Sequence, residues 1–199
     1  MVPSRPFDRR TALVVVDLQN DFAHPSGSLS VGRAGDVIPV VNDAVREAVE
    51  SGAFVVATQD WHPESTPHFA KDGGIWPVHC VAGTWGAELA PDIVLPGGAP
   101  RVRKGSNGED GYSGFTMRDP VTGEESPTEL DGLLRERGIE RLVVCGLATD
   151  YCVKATALDG IRLGYEVSLL PGGCAAVDLR PGDGERAIEE MRDAGVEVD

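Results

Sequence analysis

The feature that most constrains this chain is the run from Ala12 to Val16, uninterrupted hydrocarbon closed by Asp17. A strand with one face in water alternates apolar and polar residues. A run with no polar position must be covered on both faces, the usual situation in a parallel sheet. Residues 53–58 repeat the pattern, and 139–145, 165–170 and 196–198 read as further strands, with a short one at 100–103 ending at Lys104. Helical spacing fills the gaps. Val37, Val40, Val41, Ala44, Val45, Ala48 and Val49 form one stripe, with Asp36 as a cap and Gly52 beyond its end. Ser126-Pro127-Thr128-Glu129 has the form of a capping box opening a helix to about Arg137, where Gly138 stops it. A third helix opens at Thr149 or Asp150 and runs to about Leu163, and a fourth spans residues 183–194. Strands alternating with helices predict a three-layer α/β/α architecture around a mostly parallel six-stranded sheet, in a single domain over residues 1–199.

In open α/β sheets, ligands bind beyond the carboxyl ends of the strands. The expected strands end at Asp17, at Asp60 and at Lys104, and Cys152 follows the end of a fourth, so chemically capable groups converge on one edge. Cys152 falls in the first turn of a helix, where free N–H groups and the helix dipole favour a thiolate and could hold an oxyanion. Taken singly these residues have plainer readings: a buried structural thiol for Cys152, a turn acid for Asp17, a solvated charge for Lys104. Their convergence favours a Cys–Asp–Lys site.

The stretches 60–99 and 105–125 lack periodicity and are too long to be simple connectors, a mark of functional loops. Asp60, His62, His68 and His79 fall in or beside the first. Carboxylate and imidazole together suit Zn²⁺, Fe²⁺ or Mn²⁺. Spacing alone equally permits histidines that hydrogen-bond locally in a polar loop. Cys80, next to His79, reads as core, and His24 as structural. Phe22, Trp61, Trp76 and Tyr112 lie near these motifs and suit the walls of a pocket for a flat aromatic ligand, although ordinary core packing explains any one of them.

The formal net charge of −14 argues against nucleic acid and anionic membrane as partners. No apolar run approaches a membrane span, and the stretch from Met1 to Arg10 lacks a signal-peptide pattern, which implies a cytoplasmic address. In that compartment Cys80, Cys145, Cys152 and Cys174, with no CxxC among them, are expected as free thiols.

The motifs VVDLQNDF (15–22), TQDWHP (58–63), WPVHCVAGTWGA (76–87), Lys104-Gly105, YSGF (112–115) and CGLATDYCV (145–153) are together specific. In that order they resemble the isochorismatase-like hydrolase superfamily and, within it, the nicotinamidase/pyrazinamidase family. The resemblance implies that Asp17, Lys104 and Cys152 form the catalytic triad and that Asp60, His62 and His79 bind one divalent metal ion, with zinc ahead of iron or manganese. His68 matches a fourth ligand seen in part of the family. Phe22, Trp76, Leu147 and Tyr112 are implied as pocket walls. A cis peptide at Leu147-Ala148 is implied to turn the Ala148 N–H into an oxyanion hole beside that of Cys152, and Ser106 to Gly111 reads as an insert at the pocket rim. The implied activity is hydrolysis of nicotinamide, and of pyrazinamide, through a cysteine thioester in NAD recycling. The partner is a small aromatic carboxamide, and a homo-oligomer is left open. The rival from the same superfamily is a cysteine hydrolase of another small amide or ureido compound; a redox- or metal-binding module using Cys152 is the non-enzymatic rival.

Overall fold

A computed structural model describes residues 7–198; the ends of the predicted domain (1–6 and 199), and with them most of the charged N-terminal stretch, lie outside the described residues. Strand β1 (Thr11–Val16) leads through a short helix α1 (Asn20–Ala23) and a long one, α2 (Ala34–Glu50), to β2 (Phe54–Asp60). An irregular stretch with two single turns of 3₁₀ helix follows, then β3 (Arg101–Lys104) and a small pair, β4 (Thr116–Arg118) and β5 (Glu125–Pro127). After α3 (Leu130–Arg135) come β6 (Arg141–Leu147), a π-helical turn at Thr149–Val153, α4 (Lys154–Arg162), β7 (Glu166–Ala175) and α5 (Asp183–Asp193).

The main sheet has the order β3-β2-β1-β6-β7 and is parallel throughout. Every residue of β1 is buried, as its composition demands. Leu13 and Val15 enter one core with Val41 and Val45 of α2, while Ala12, Val14 and Val16 enter a second with Leu134, Ala157 and Met191 of α3, α4 and α5. The sheet is therefore the middle of three layers. The chain builds β1, β2 and β3 outward to one side, then crosses to place β6 on the other flank of β1. That reversal between β1 and β6 is where a crevice opens at the carboxyl edge. Among the described residues no helix is long and apolar enough to cross a membrane.

Three expectations are corrected. The sheet has five strands rather than six: after the Gly195 turn the chain meets β7 at Glu197 alone, whose N–H bonds Val167 O and whose C=O accepts Leu169 N–H, both at 2.9 Å. The capping box at Ser126 does not open a helix. Ser126 and Pro127 pair with Met117 and Thr116 in the β4–β5 ribbon, and α3 starts at Leu130, whose N–H bonds the Thr128 hydroxyl at 3.1 Å. Asp36 does not cap α2; the helix starts earlier, behind Arg33 in the left-handed region, and Asp36 lies in its first turn, where a negative charge still suits the dipole.

Candidate active site

Four strands deliver four groups to the crevice. Asp17 follows β1 with φ +46°, a left-handed conformation rare for a residue with a side chain, and it is fully buried. Its Oδ1 accepts the Thr58 hydroxyl at 2.6 Å and its Oδ2 accepts Lys104 Nζ at 2.7 Å. Lys104, the last residue of β3, is also fully buried, and its ammonium donates besides to Asp60 Oδ1 and to the Gly111 carbonyl and lies 3.7 Å from Cys152 Sγ. A buried ammonium survives only when paired. Here burial works against the charge, but Asp17 and Asp60 outweigh it and hold the lysine well above its ordinary range.

Cys152 stands in the π turn that links β6 to α4, with its sulfur within 4.8 Å of an Asp17 carboxylate oxygen. Burial pushes this thiol well up, more than Lys104 pulls it down, so the resting group is a thiol rather than the thiolate expected from a helix N-terminus. Burial likewise raises Asp17 against the pull of Lys104, which makes it a stronger base than a free carboxylate. The approach of β6 to β1 needs Gly146: with φ +112°, a Cβ there would sit 2.0 Å from Val16 O. The following Leu147–Ala148 peptide is cis, as the resemblance implied.

Beside this trio lie His62, His68 and His79, all buried, with ligand atoms within 4.8 Å of one another. Asp60 Oδ2 is 3.7 Å from His62 Nε2 and 3.8 Å from His79 Nε2. Burial would raise Asp60, but the Lys104 charge and the nearby His62 and His79 rings hold it well below the usual carboxylate range. Burial pushes His79 down to about 4, so its ring is a neutral imidazole at ordinary pH. Neither ring nitrogen of His62 has a hydrogen-bond partner, although the side chain is fully buried. Orphaned buried imidazole nitrogens beside a carboxylate and two more imidazoles are the donor set a divalent ion satisfies. His68, implied by the resemblance as a fourth ligand, joins the other two histidines.

The pocket over these groups spans about 370 Å³, its open mouth included. Phe22, Trp76 and Tyr112 line it as expected, with Leu147 and Ala148 near Cys152. The Trp76 indole N–H bonds the Tyr112 hydroxyl at 2.8 Å, which fixes one wall, and Phe22 packs against His79 with ring centroids 5.4 Å apart. Trp61 does not line it; its ring lies under the Arg103 guanidinium. His24 is exposed and bonds the Ser26 N–H, and Cys80 is core, as expected. The four cysteines are free thiols.

The Isochorismatase domain model matches residues 11–198. The chain is 38% identical to a nicotinamidase of Escherichia coli (strain K12), over 92% of each chain. The chain belongs to the nicotinamidase/pyrazinamidase family of isochorismatase-like hydrolases. Among solved family structures, the pyrazinamidase of Pyrococcus horikoshii in complex with zinc superposes with a TM-score of 0.85 at 42% identity, covering 96% of this chain and 98% of that one. A PnC1 from L. infantum in complex with nicotinate gives 0.83 at 36% identity, covering 96% and 92%.

Several residues of this family member that support the site were not singled out from the sequence. Gln19 is fully buried and clamps Asp60 through both backbone groups: its amide donates to Asp60 O at 2.7 Å and its carbonyl accepts Asp60 N–H at 2.8 Å. Asp21 accepts the N–H of Cys80 at 2.7 Å and so holds the residue after His79 in its left-handed turn, φ +46°. Asp150 accepts the N–H groups of Val177 and Asp178, both at 2.9 Å, and ties the π turn to the pocket wall. Tyr151 adds an aromatic wall against Trp76, centroids 4.9 Å apart. A polar residue in an otherwise buried stretch was the available signal for Gln19 and Asp21.

Proposed function

We propose that this protein is a nicotinamidase, hydrolysing nicotinamide, and pyrazinamide with it, to the acid and ammonia, with Cys152 as nucleophile, Asp17 as proton carrier and Lys104 as the charge that orients it. The observation that carries the reading is a single buried ammonium within 2.7 Å of Asp17 and 3.7 Å of the Cys152 sulfur, at the floor of an aromatic-walled pocket. The nicotinamidase and nicotinate-bound relatives support the choice of substrate.

Asp17 takes the thiol proton as sulfur attacks the carboxamide carbon; its burial-strengthened basicity suits this transfer. Negative charge develops on the carboxamide oxygen, where the N–H groups of Ala148 and Cys152 are our candidates for the oxyanion hole, each donor contributing about 3 kcal/mol. The C–N bond then breaks, Asp17 returns the proton to the leaving nitrogen, and ammonia departs from a thioester on Cys152. Asp17 next takes a proton from water, whose oxygen attacks the thioester carbonyl, and the acid leaves with the thiol restored. Phe22, Trp76, Tyr112 and Leu147 sandwich and orient the ring.

Asp60, His62, His68 and His79 would hold a divalent ion, zinc by analogy with the Pyrococcus horikoshii structure. Such an ion supplies a Lewis-acid anchor that fixes a heteroaromatic nitrogen. A cytoplasmic site of action and a role in NAD recycling belong to the same reading. The test is ammonia release from nicotinamide: Cys152→Ala abolishes it, and a variant turning over at near the wild-type rate would remove Cys152 from the mechanism.

A further inference from the structure

The three histidines beside Asp60 differ in what their ring nitrogens bond. His79 Nδ1 lies 2.8 Å from the Pro77 carbonyl oxygen, which can only accept, so Nδ1 carries the proton. His62 has no partner at either nitrogen. His68 Nδ1 lies 2.6 Å from Asp110 Oδ1, and its ring is buried. We infer that Asp110 is the positioning residue of this cluster: its carboxylate holds the proton on His68 Nδ1, leaves Nε2 as the ring atom with a free lone pair, and thereby makes His68 a strong fourth ligand for a divalent cation. The inference rests on the metal reading proposed above and assigns a device within it.

The geometry around Asp110 is built for such a role. Its backbone is fixed in both directions by Arg118 at the end of the β4–β5 ribbon: Asp110 N–H donates to Arg118 O at 2.7 Å and Arg118 N–H donates to Asp110 O at 3.0 Å. The other face of the junction is pinned by Thr66, whose hydroxyl donates to Gly108 O at 2.8 Å while its oxygen accepts the His68 N–H at 3.2 Å. The loop carrying Asp110 and the loop carrying His68 are thus zipped together at backbone and side chain. One residue further along, the Gly111 carbonyl receives the Lys104 ammonium. Gly105, at the loop's start, sits so close to His62 that a Cβ there would lie 2.6 Å from its ring. Segment 105–111 therefore touches two histidines and the buried lysine. A carboxylate hydrogen-bonded to the remote nitrogen of a ligating imidazole fixes its tautomer and raises its basicity, and losing that partner weakens metal binding by about 10- to 100-fold.

The experiment measures zinc affinity by competition with a chromophoric chelator, on the wild-type chain and on Asp110→Asn and Asp110→Leu. Asn keeps an acceptor but no charge; Leu keeps neither. Zinc is expected to bind the Asn variant about 10-fold more weakly and the Leu variant close to 100-fold more weakly. A second readout needs no variant: long-range ¹H–¹⁵N correlation on the zinc-free wild type, with His68 assigned by comparison with His68→Gln, is expected to find the proton on Nδ1. Variants that bind zinc within twofold of wild type, or a His68 proton found on Nε2, overturn the assignment of Asp110 while leaving the metal reading intact. A wild-type protein that takes up no zinc overturns both.

Discussion

Replacing Lys104 by Met keeps most of the chain's length and hydrocarbon while deleting the one cation shared by Asp17 and Asp60, all three of which are buried. Breaking a buried ion pair by removing one partner costs about 3–5 kcal/mol. The cost has a ceiling, because an abandoned carboxylate can take up a proton instead. Asp17 is already pushed upward by burial, so it is the group that will do so. Each pH unit between the solution and the free acid's ordinary 3.8 then costs about 1.4 kcal/mol. The ceiling is about 4 kcal/mol at about pH 7 and about 1.6 kcal/mol at about pH 5. The sign follows from proton counting. In the variant the folded state binds more protons than the unfolded state, so its stability falls as pH rises above the free acid's value. Urea unfolding of metal-stripped protein reads the gap directly; with a slope of about 2 kcal/mol per molar, the midpoint drops by about 2 M at neutral pH and by less than about 1 M at the lower pH. Ammonia release is lost in both conditions. A gap that does not change with pH would refute the claim that Lys104 keeps Asp17 ionised, and a variant as stable as wild type would refute the buried pairing altogether.

Gly146→Ala drives a methyl group into Val16 O from a backbone at φ +112°, and should cost more than about 3 kcal/mol or leave the chain unfolded, as read by thermal melting. Tyr112→Phe deletes the acceptor of the Trp76 N–H. With a net worth of about 1 kcal/mol for that bond, KM for nicotinamide should rise about fivefold with kcat little changed, and an unmoved KM would mean that the indole is held by packing alone. Prolonged chelation should remove turnover and added zinc should restore it; full activity in metal-free protein, verified by elemental analysis, would contradict the role given to the histidines.

The residues that do the chemistry were legible because the physics that exposes them is local. A strand buried on both faces can end in Asp17, Asp60 or Lys104 only where a ligand or a partner meets them, and apolar runs reveal where strands end. The histidines were legible as a cluster because they crowd one aperiodic stretch, although nothing in their spacing told ligand from loop. What was hidden depends on contacts between distant segments. Gln19 reaches across to Asp60, Asp150 to Val177, and Asp110 to His68; each is a polar residue whose partner is often a backbone group that carries no sequence signal. The misplaced start of α3 has a similar cause. Ser126-Pro127-Thr128-Glu129 is locally consistent with a helix, and only the facing strand Thr116–Arg118 draws its first half into a ribbon.

The strand order also dictates how the site comes together. Asp17, Asp60 and Lys104 hang from β1, β2 and β3, consecutive in the sheet and all encoded before β6, whereas the sulfur arrives with β6, which docks on the opposite flank of β1. A half-built sheet of the first three strands therefore holds two acids and a lysine along an open rim, with no nucleophile near them. Reactivity is acquired in the closing step, when the second half of the chain seals that rim.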